Sequence, residues 1–284
     1  MAVTVTIGIC VYNEEKNIGK ILDYLKGSKF GLGLEKIIIV CSGCTDRSIQ
    51  IVKERMRNNK KIELFIEKER MGKYSAMNVI LRNAKGKYII FIDGDALPVK
   101  NALNYLVDSF SNPKIGAVTG RILPAKNNGK IINFFEEFIW NLHHQFSYSY
   151  RKITAQICAI EKGLIKKIPD KIINDDGYFT AKILQTHEIA YEPRAASINL
   201  DNINFYHYIK KRKRIAQGYM QLSKMNLDVS IPKTLIMKLL IRRIVSEPEK
   251  FFHILLAVIV EIYCNMLAFF DMQRDKLDYK WENE

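Results

Sequence analysis

With 284 residues the chain is long enough for one large domain, or a domain with a sizeable extension, around a full core. A formal charge of +14 points to an anionic partner and by itself leaves nucleic acid, a membrane surface and a phosphorylated substrate open. The excess is local, with ten Lys or Arg against one acid, Asp228, between Phe205 and Val245, and five scattered cysteines argue against a disulfide-stapled framework and for reduced, buried thiols in a cytoplasmic protein.

In chain order, Met1 to Thr6 runs straight into a strand without a basic region or cleavage site, so no secretory signal is expected. Val3 to Val11 is β-branched and apolar, Asn13-Glu14-Glu15 opens a loop, and Ile18, Ile21, Leu22 and Leu25 follow at helical spacing. The unit recurs. Lys36 to Cys41 predicts a strand, Ser42 to Asp46 a polar loop and Arg47 to Arg57 a helix; Ile62 to Ile66, the loop around Met71-Gly72-Lys73 and Tyr74 to Asn83 repeat the pattern. Tyr88 to Ile92 then reads as a buried strand that delivers Asp93-Gly94-Asp95 before Pro98, with a helix over Val99 to Phe110.

Strands alternating with helices imply a mostly parallel sheet covered on both faces, with ligands at the carboxyl ends of the strands. Asn13, Glu14, Ser42, Asp46, Gly72, Lys73, Asp93 and Asp95 all follow strands and are expected on one rim. No Gly-x-Gly-x-x-Gly turn is present, which weighs against NAD or FAD chemistry. Cys41-x-x-Cys44 lacks the second pair of a zinc site. Alternation puts Asp93 and Asp95 on the same side of the chain, with Gly94 leaving room for close approach. Two neighbouring acids repel unless a cation sits between them, and a divalent metal is the simplest one.

Further on, Ile115 to Ile122 reads as a strand and Ile131 to Tyr150 as an aromatic helix with Trp140, His143 and His144. Adjacent histidines point in different directions on a helix, so polar or packing roles are expected of them. Gln156 to Ile160 is another strand, and Asn174-Asp175-Asp176 precedes the helical pattern Phe179, Ile183, Leu184. Acids there suit a helix start. With a metal site upstream, they are equally candidates for a general base.

From about Val3 to about Gln221 these residues resemble family 2 glycosyltransferases of the GT-A fold. Val11-Tyr12-Asn13-Glu14 is similar to the family's opening Tyr-Asn-Glu, Gly43-Cys44-Thr45-Asp46 to its Gly-Ser-Thr-Asp loop, and Gly72-Lys73 through Asn78 to its Gly-Lys helix start. Asp93-Gly94-Asp95 stands where the family has Asp-x-Asp, Val118-Thr119-Gly120 follows, and Asp175-Asp176 matches its Glu-Asp pair. The resemblance implies a nucleotide-sugar donor, an inverting transfer and Mg²⁺ or Mn²⁺ held by Asp95 and Asp93. It implies that Tyr12, Glu14, Ser42 and Asp46 line the nucleoside end, that Asn13, Lys73, Gly94 and Arg214 belong to the donor site, and that Asp176, beside Asp175, is the base. Two departures stand out. Cys41 and Ser42 replace acids before the Gly-Ser-Thr-Asp loop, and Lys211-Arg212-Lys213-Arg214-Ile215 replaces Gln-x-x-Arg-Trp, which argues against a processive polysaccharide synthase.

The expected organisation is a GT-A domain over 1–222, with a donor half of about 1–122 and an acceptor half of about 123–222, followed by a helical extension over 223–284. Phe251 to Phe270 is long and apolar enough to span a bilayer, but His253 and Glu261 are expensive in lipid. Basic residues beside an apolar helix favour an interfacial, peripheral or monotopic position on the cytoplasmic membrane face, with a dimer-forming helix as the next reading. A glycan or polyprenyl-phosphate-linked acceptor follows from membrane contact. A nucleotidyltransferase of related sheet architecture and a non-catalytic basic module are the rival readings, and nucleic acid is not an expected partner.

Overall fold

The computed structural model describes residues 3–28, 31, 33–126 and 128–280; the N-terminal reading at Met1 and Ala2 lies outside them. The first part of the chain consists of β1 (Thr4–Val11), α1 (Ile18–Gly27), β2 (Gly33–Ser42), α2 (Ser48–Arg57), β3 (Ile62–Glu67), α3 (Lys73–Asn83), β4 (Tyr88–Asp93), β5 (Ala96–Pro98) and α4 (Ala102–Asp108). After it come β6 (Ile115–Leu123), α5 (Lys130–Ser147), β7 (Ile157–Glu161), α6 (Asp175–Ile183), β8 (Glu188–Asn199), α7 (Phe205–Lys224), α8 (Lys233–Ser246) and α9 (Phe251–Gln273). The sheet order is β3-β2-β1-β4-β7-β6-β8-β5. Strands β1 to β4 pair in parallel, as the alternating pattern predicts. Beyond β4 the sheet is mixed: β7 runs antiparallel to both β4 and β6, β8 parallel to β6, and β5 antiparallel to β8.

Because helices cover both faces, the central strands are apolar at nearly every position. Ile37 and Ile39 of β2 join a core with Ile21 and Leu25 of α1, while Ile38 and Val40 join Met77 and Ile80 of α3 and Phe179 of α6 on the other face. Helix α4 is shorter than the expected span. Val99, just past β5, is tied to β8 by its N–H donating to Ala196 O, and Asn101, at φ 64°, sets the helix start.

Strand β8 is not visible in the sequence pattern, because Glu192-Pro193-Arg194 interrupts any alternation. The register shift sits there: Gly120 faces Glu192, yet Arg121 faces Ala196. The extra residues bend β8 until the Ala195 carbonyl oxygen lies 2.0 Å from where a Gly120 Cβ would be, so only glycine fits.

The basic run 210–214 does not form the solvated face that such runs usually make. On α7, Arg212 makes a two-pronged pair with Glu261 of α9 at 2.6 and 2.8 Å. Lys213 pairs with Asp271 at 2.6 Å and Asp278 at 2.8 Å, and Lys211 with Asp201 at 3.0 Å. The acid that looked expensive in α9 is thus turned inward and neutralised. The helical extension is built into the protein through a third core that joins Phe135 of α5, Tyr208 of α7 and Ile254, Val260 and Cys264 of α9.

Gly120→Ala is expected to cost about 1–3 kcal/mol through forced backbone displacement, measured as a lower urea midpoint at unchanged slope; wild-type stability would contradict the bulge geometry.

Candidate active site

The carboxyl ends of β1, β2 and β4 converge, and a cavity of about 1250 Å³ opens against them. Tyr12, Glu14, Ser42, Lys73, Asp93, Gly94, Asp95, Asp175, Asp176 and Arg214 all line it. Asn13 and Asp46 do not line that cavity. Asn13, at φ 52°, accepts from Thr45 N–H at 2.8 Å, while Asp46 accepts from Glu15 N–H and Ser48 N–H, each at 2.9 Å. Both residues lock the loops after β1 and β2 to each other, and the locked loops present Tyr12 and Ser42. Arg70 lies over the Tyr12 ring at 3.7 Å, a stacking arrangement suited to planar groups.

Gly94 is closely packed. A Cβ there would stand 3.0 Å from both Cys10 O and Glu14 Cγ, so these neighbours would have to give by a few tenths of an ångström to admit a larger residue. The acids on either side have different neighbours. Asp93 pairs with Lys73 at 2.9 Å. Burial, then the nearby Asp201, Asp93 and Glu14, raises the Asp95 carboxyl well above the usual carboxylate range. Burial also opposes ionisation of Asp201, but Lys211 and a hydrogen bond with Asp95 outweigh it and hold Asp201 low. Of the two, Asp95 is the one whose ionisation its surroundings oppose.

Across the cavity, Asn174 caps α6 by accepting from Gly177 N–H at 2.8 Å. The cap leaves Asp175 and Asp176 in the first turn of α6. Asp175 turns to Lys73 at 3.1 Å, so one ammonium bridges the carboxylates of β4 and α6. Burial works against its charge, yet Asp175, Asp93 and Asp176 keep Lys73 well above its ordinary value. Asp176 Oδ1 accepts from Ala155 N–H at 2.9 Å. Burial first, then Asp175, pushes its pKa up to about 8.

Sequence reasoning missed Arg70, Lys152, Asp201 and Lys211, all of which line the cavity. Arg70 adjoins a loop that was recognised, but Asp201 follows the unrecognised β8, and Lys211 sat within a run read as a replaced motif. His144 hydrogen-bonds Tyr191 Oη through Nδ1 at 2.6 Å, the polar role expected of it; His143 lines the cavity.

Among the described residues no group of three or more His, Cys, Asp or Glu side chains converges on one point as a complete metal site. The donor set still fits a divalent cation bound together with an anionic ligand. Hard carboxylate oxygens face the cavity, and the crowding that disfavours charge on Asp95 is what such a cation relieves.

Comparison with known proteins agrees with this geometry. The family profile described as Glycosyl transferase family 2 matches residues 6–165. Glycosyltransferase AglE of Haloferax volcanii is 22% identical over 232 residues, covering 77% of this chain and 73% of that protein. Poly-beta-1,6-N-acetyl-D-glucosamine synthase of Staphylococcus epidermidis is 26% identical over 226 residues, covering 74% of this chain and 53% of the synthase, so the chain spans about half of that relative. Among solved structures, a mannosyltransferase from Pyrobaculum calidifontis in complex with GDP-Man and Mn²⁺ superposes with a TM-score of 0.65 at 21% identity, covering 95% of this chain and 74% of the other. Glucosyl-3-phosphoglycerate synthase from Mycobacterium tuberculosis, in complex with Mn²⁺, UDP and phosphoglyceric acid, gives 0.54 at 16% identity over 81% of this chain and 80% of the other. At such identities these likenesses establish the fold, which is the GT-A type.

An acid whose folded pKa lies above its unfolded value holds its proton more tightly when folded, so its contribution to stability falls as pH rises toward the folded value. Asp176→Asn keeps an acceptor for Ala155 N–H and removes the charge. It is expected to melt above wild type, with the larger gain at pH 8 than at pH 5; an equal difference at both would contradict the raised pKa.

Proposed function

This chain belongs to glycosyl transferase family 2, and from that premise we propose that it transfers a sugar, with inversion, from a nucleotide-sugar donor bound at Asp93, Asp95, Lys73 and Arg214 to an acceptor presented to Asp176. The observation that carries this reading is the facing pair of acidic ends in one cavity: Asp93-Gly94-Asp95 on β4, and Asp176 held across from it by Ala155 N–H. Tyr12 with Arg70, Glu14 and Ser42 form the end that suits a nucleoside.

In the reaction the acceptor oxygen forms a bond to the anomeric carbon as the bond from that carbon to the diphosphate oxygen breaks. The acceptor proton goes to Asp176, and nucleoside diphosphate leaves. A base with a pKa near the working pH both takes and releases a proton readily, and the value of about 8 at Asp176 meets that requirement. Asp95 and Asp93 would hold Mg²⁺ or Mn²⁺, which supplies positive charge to the departing diphosphate. Lys73 and Arg214 bring further positive charge to the same end. Asp175 keeps Lys73 in position. We take 1–222 as the catalytic domain, its donor half ending near 122, and 223–284 as the extension.

The extension supports a position on the cytoplasmic membrane face. Of the described helices, one, Pro248–Gln273, is long and apolar enough to cross a membrane by length and composition. Its outer face is apolar, with Phe252 77% exposed and Ile259 52% exposed, and it continues onto Ile241 and Val245 of α8. Lys233, Lys238 and Arg242 stand exposed beside it. An apolar surface bordered by cations suits an anionic bilayer.

Asp176→Asn is expected to reduce sugar transfer by about a hundredfold or more while nucleoside diphosphate binding with Mn²⁺ stays unchanged; full transfer activity would remove Asp176 from the mechanism. Asp95→Ala is expected to abolish the Mn²⁺-dependent part of nucleoside diphosphate affinity in calorimetry, and unchanged affinity would reassign the metal. Phe252→Asp with Ile259→Asp is expected to release the protein from phosphatidylglycerol vesicles in a sedimentation assay. Wild-type protein that ignores those vesicles and sediments as a dimer would instead give this face to a second copy of the chain.

A further inference from the structure

The cavity continues beyond the acidic site. A second arm runs between α5, α8 and α9, lined by Leu142, Phe146, Ile236, Leu240, Ile262 and Met266. Ile236, Ile262 and Met266 are also solvent-exposed, so the arm opens onto the same apolar surface that α8 and α9 present. A sugar nucleotide has nothing to bury there. A hydrocarbon chain does.

Lys152 and His143 line the same cavity. Lys152 is only 5% exposed, and its Nζ lies 4.2 Å from the centre of the Tyr219 ring. The cations of α7 around it are matched: Lys211 by Asp201, Arg212 by Glu261, Lys213 by Asp271. Lys152 makes no ion pair among the described residues. His143 Nδ1 meets Ser147 Oγ at 3.3 Å, while its Nε2 is buried without a hydrogen-bond partner. Burial pushes Lys152 down to about 8, with Asp176 opposing that fall and Arg212 adding to it. Burial, then the charges of Lys152, His144 and Arg212, pushes His143 down to about 3. A buried cation without a counter-ion is costly, and an anionic ligand group supplies what the protein does not.

We propose that the acceptor is a lipid phosphate, its phosphate held by Lys152 and His143 and its hydrocarbon chain lying in the arm between α5, α8 and α9. The inference rests on the reading of Asp93, Asp95 and Asp176 as the transfer site. Lys152 lies five residues after the end of α5 and three before Ala155, whose N–H anchors Asp176. A phosphate held there delivers the head of the acceptor to the base, while the chain leads back to the apolar surface. The arm also explains why the outer face of α9 carries so many exposed large side chains: the chain passes from bilayer to site without crossing water.

Calorimetry on the full chain with farnesyl phosphate, farnesol and inorganic phosphate separates the contributions of head and chain. Farnesyl phosphate is expected to bind about tenfold or more tightly than either control, and Lys152→Met to lose about that factor while Lys152→Arg retains most of it. Leu240→Trp, which narrows the arm, is expected to weaken farnesyl phosphate and leave inorganic phosphate unchanged. Wild-type affinity for farnesyl phosphate in Lys152→Met, or equal affinity for inorganic phosphate, would overturn the proposal. UDP and GDP titrations with Mn²⁺ on the same variants separate this from the transfer reading. Normal nucleotide binding with no dependence of lipid binding on Lys152 defeats the lipid-phosphate site alone, whereas loss of all nucleotide binding in wild type defeats the transfer site.

Discussion

One ammonium group holds the two sides of the site together. Lys73 stands at the start of α3 and reaches Asp93 at the end of β4 and Asp175 at the start of α6, at 2.9 and 3.1 Å. Without it, Asp93, Asp175 and Asp176 would face one another in a largely buried space, and like charges at that range drive each other toward protonation. Asp93, Asp175 and Asp176, and the ends of β4 and α6 that carry them, depend on this single cation for their spacing. It sits in the first turn of a helix, a position unfavourable for a positive charge, and its carboxylate partners outweigh that cost.

A second set of ion pairs does comparable work at the other end. Arg212 and Lys213 of α7 fix α9 through Glu261 and Asp271. Because Glu261 faces inward, the outer surface of α9 is left apolar. The extension thereby becomes a wall of the cavity as well as part of the surface proposed to meet the membrane. Polar chemistry and apolar access are two arms of one space, and α7 lies between them with Lys211 and Arg214 toward the acids and Arg212 toward α9.

The parts legible in the sequence were those governed by local rules. Period-two and period-3.6 patterns located β1 to β4 and their helices, and the strand-end rule gathered Tyr12, Glu14, Ser42, Lys73 and Asp93 on one rim. Residues whose roles depend on long-range pairing were not legible. Strand β8 hid behind Pro193 and its bulge, and with it went Asp201. Arg212 and Lys213 looked like part of a solvated face because their partners Glu261 and Asp271 lie about fifty to sixty residues away in α9. Asn13 and Asp46 lock the loops after β1 and β2 to each other, a long-range pairing that their motif does not spell out. Lys152 follows an aromatic helix in an irregular segment with no pattern at all, and only its burial without a counter-ion draws notice.

The bridging role of Lys73 is tested most directly by a double-mutant cycle on urea unfolding with Lys73→Met and Asp175→Asn. If the ammonium spaces the acids, Lys73→Met is strongly destabilising alone, and adding Asp175→Asn recovers part of the loss, because one of the uncompensated carboxylates is gone. Losses that simply add would show that the two side chains do not depend on each other and would contradict the account.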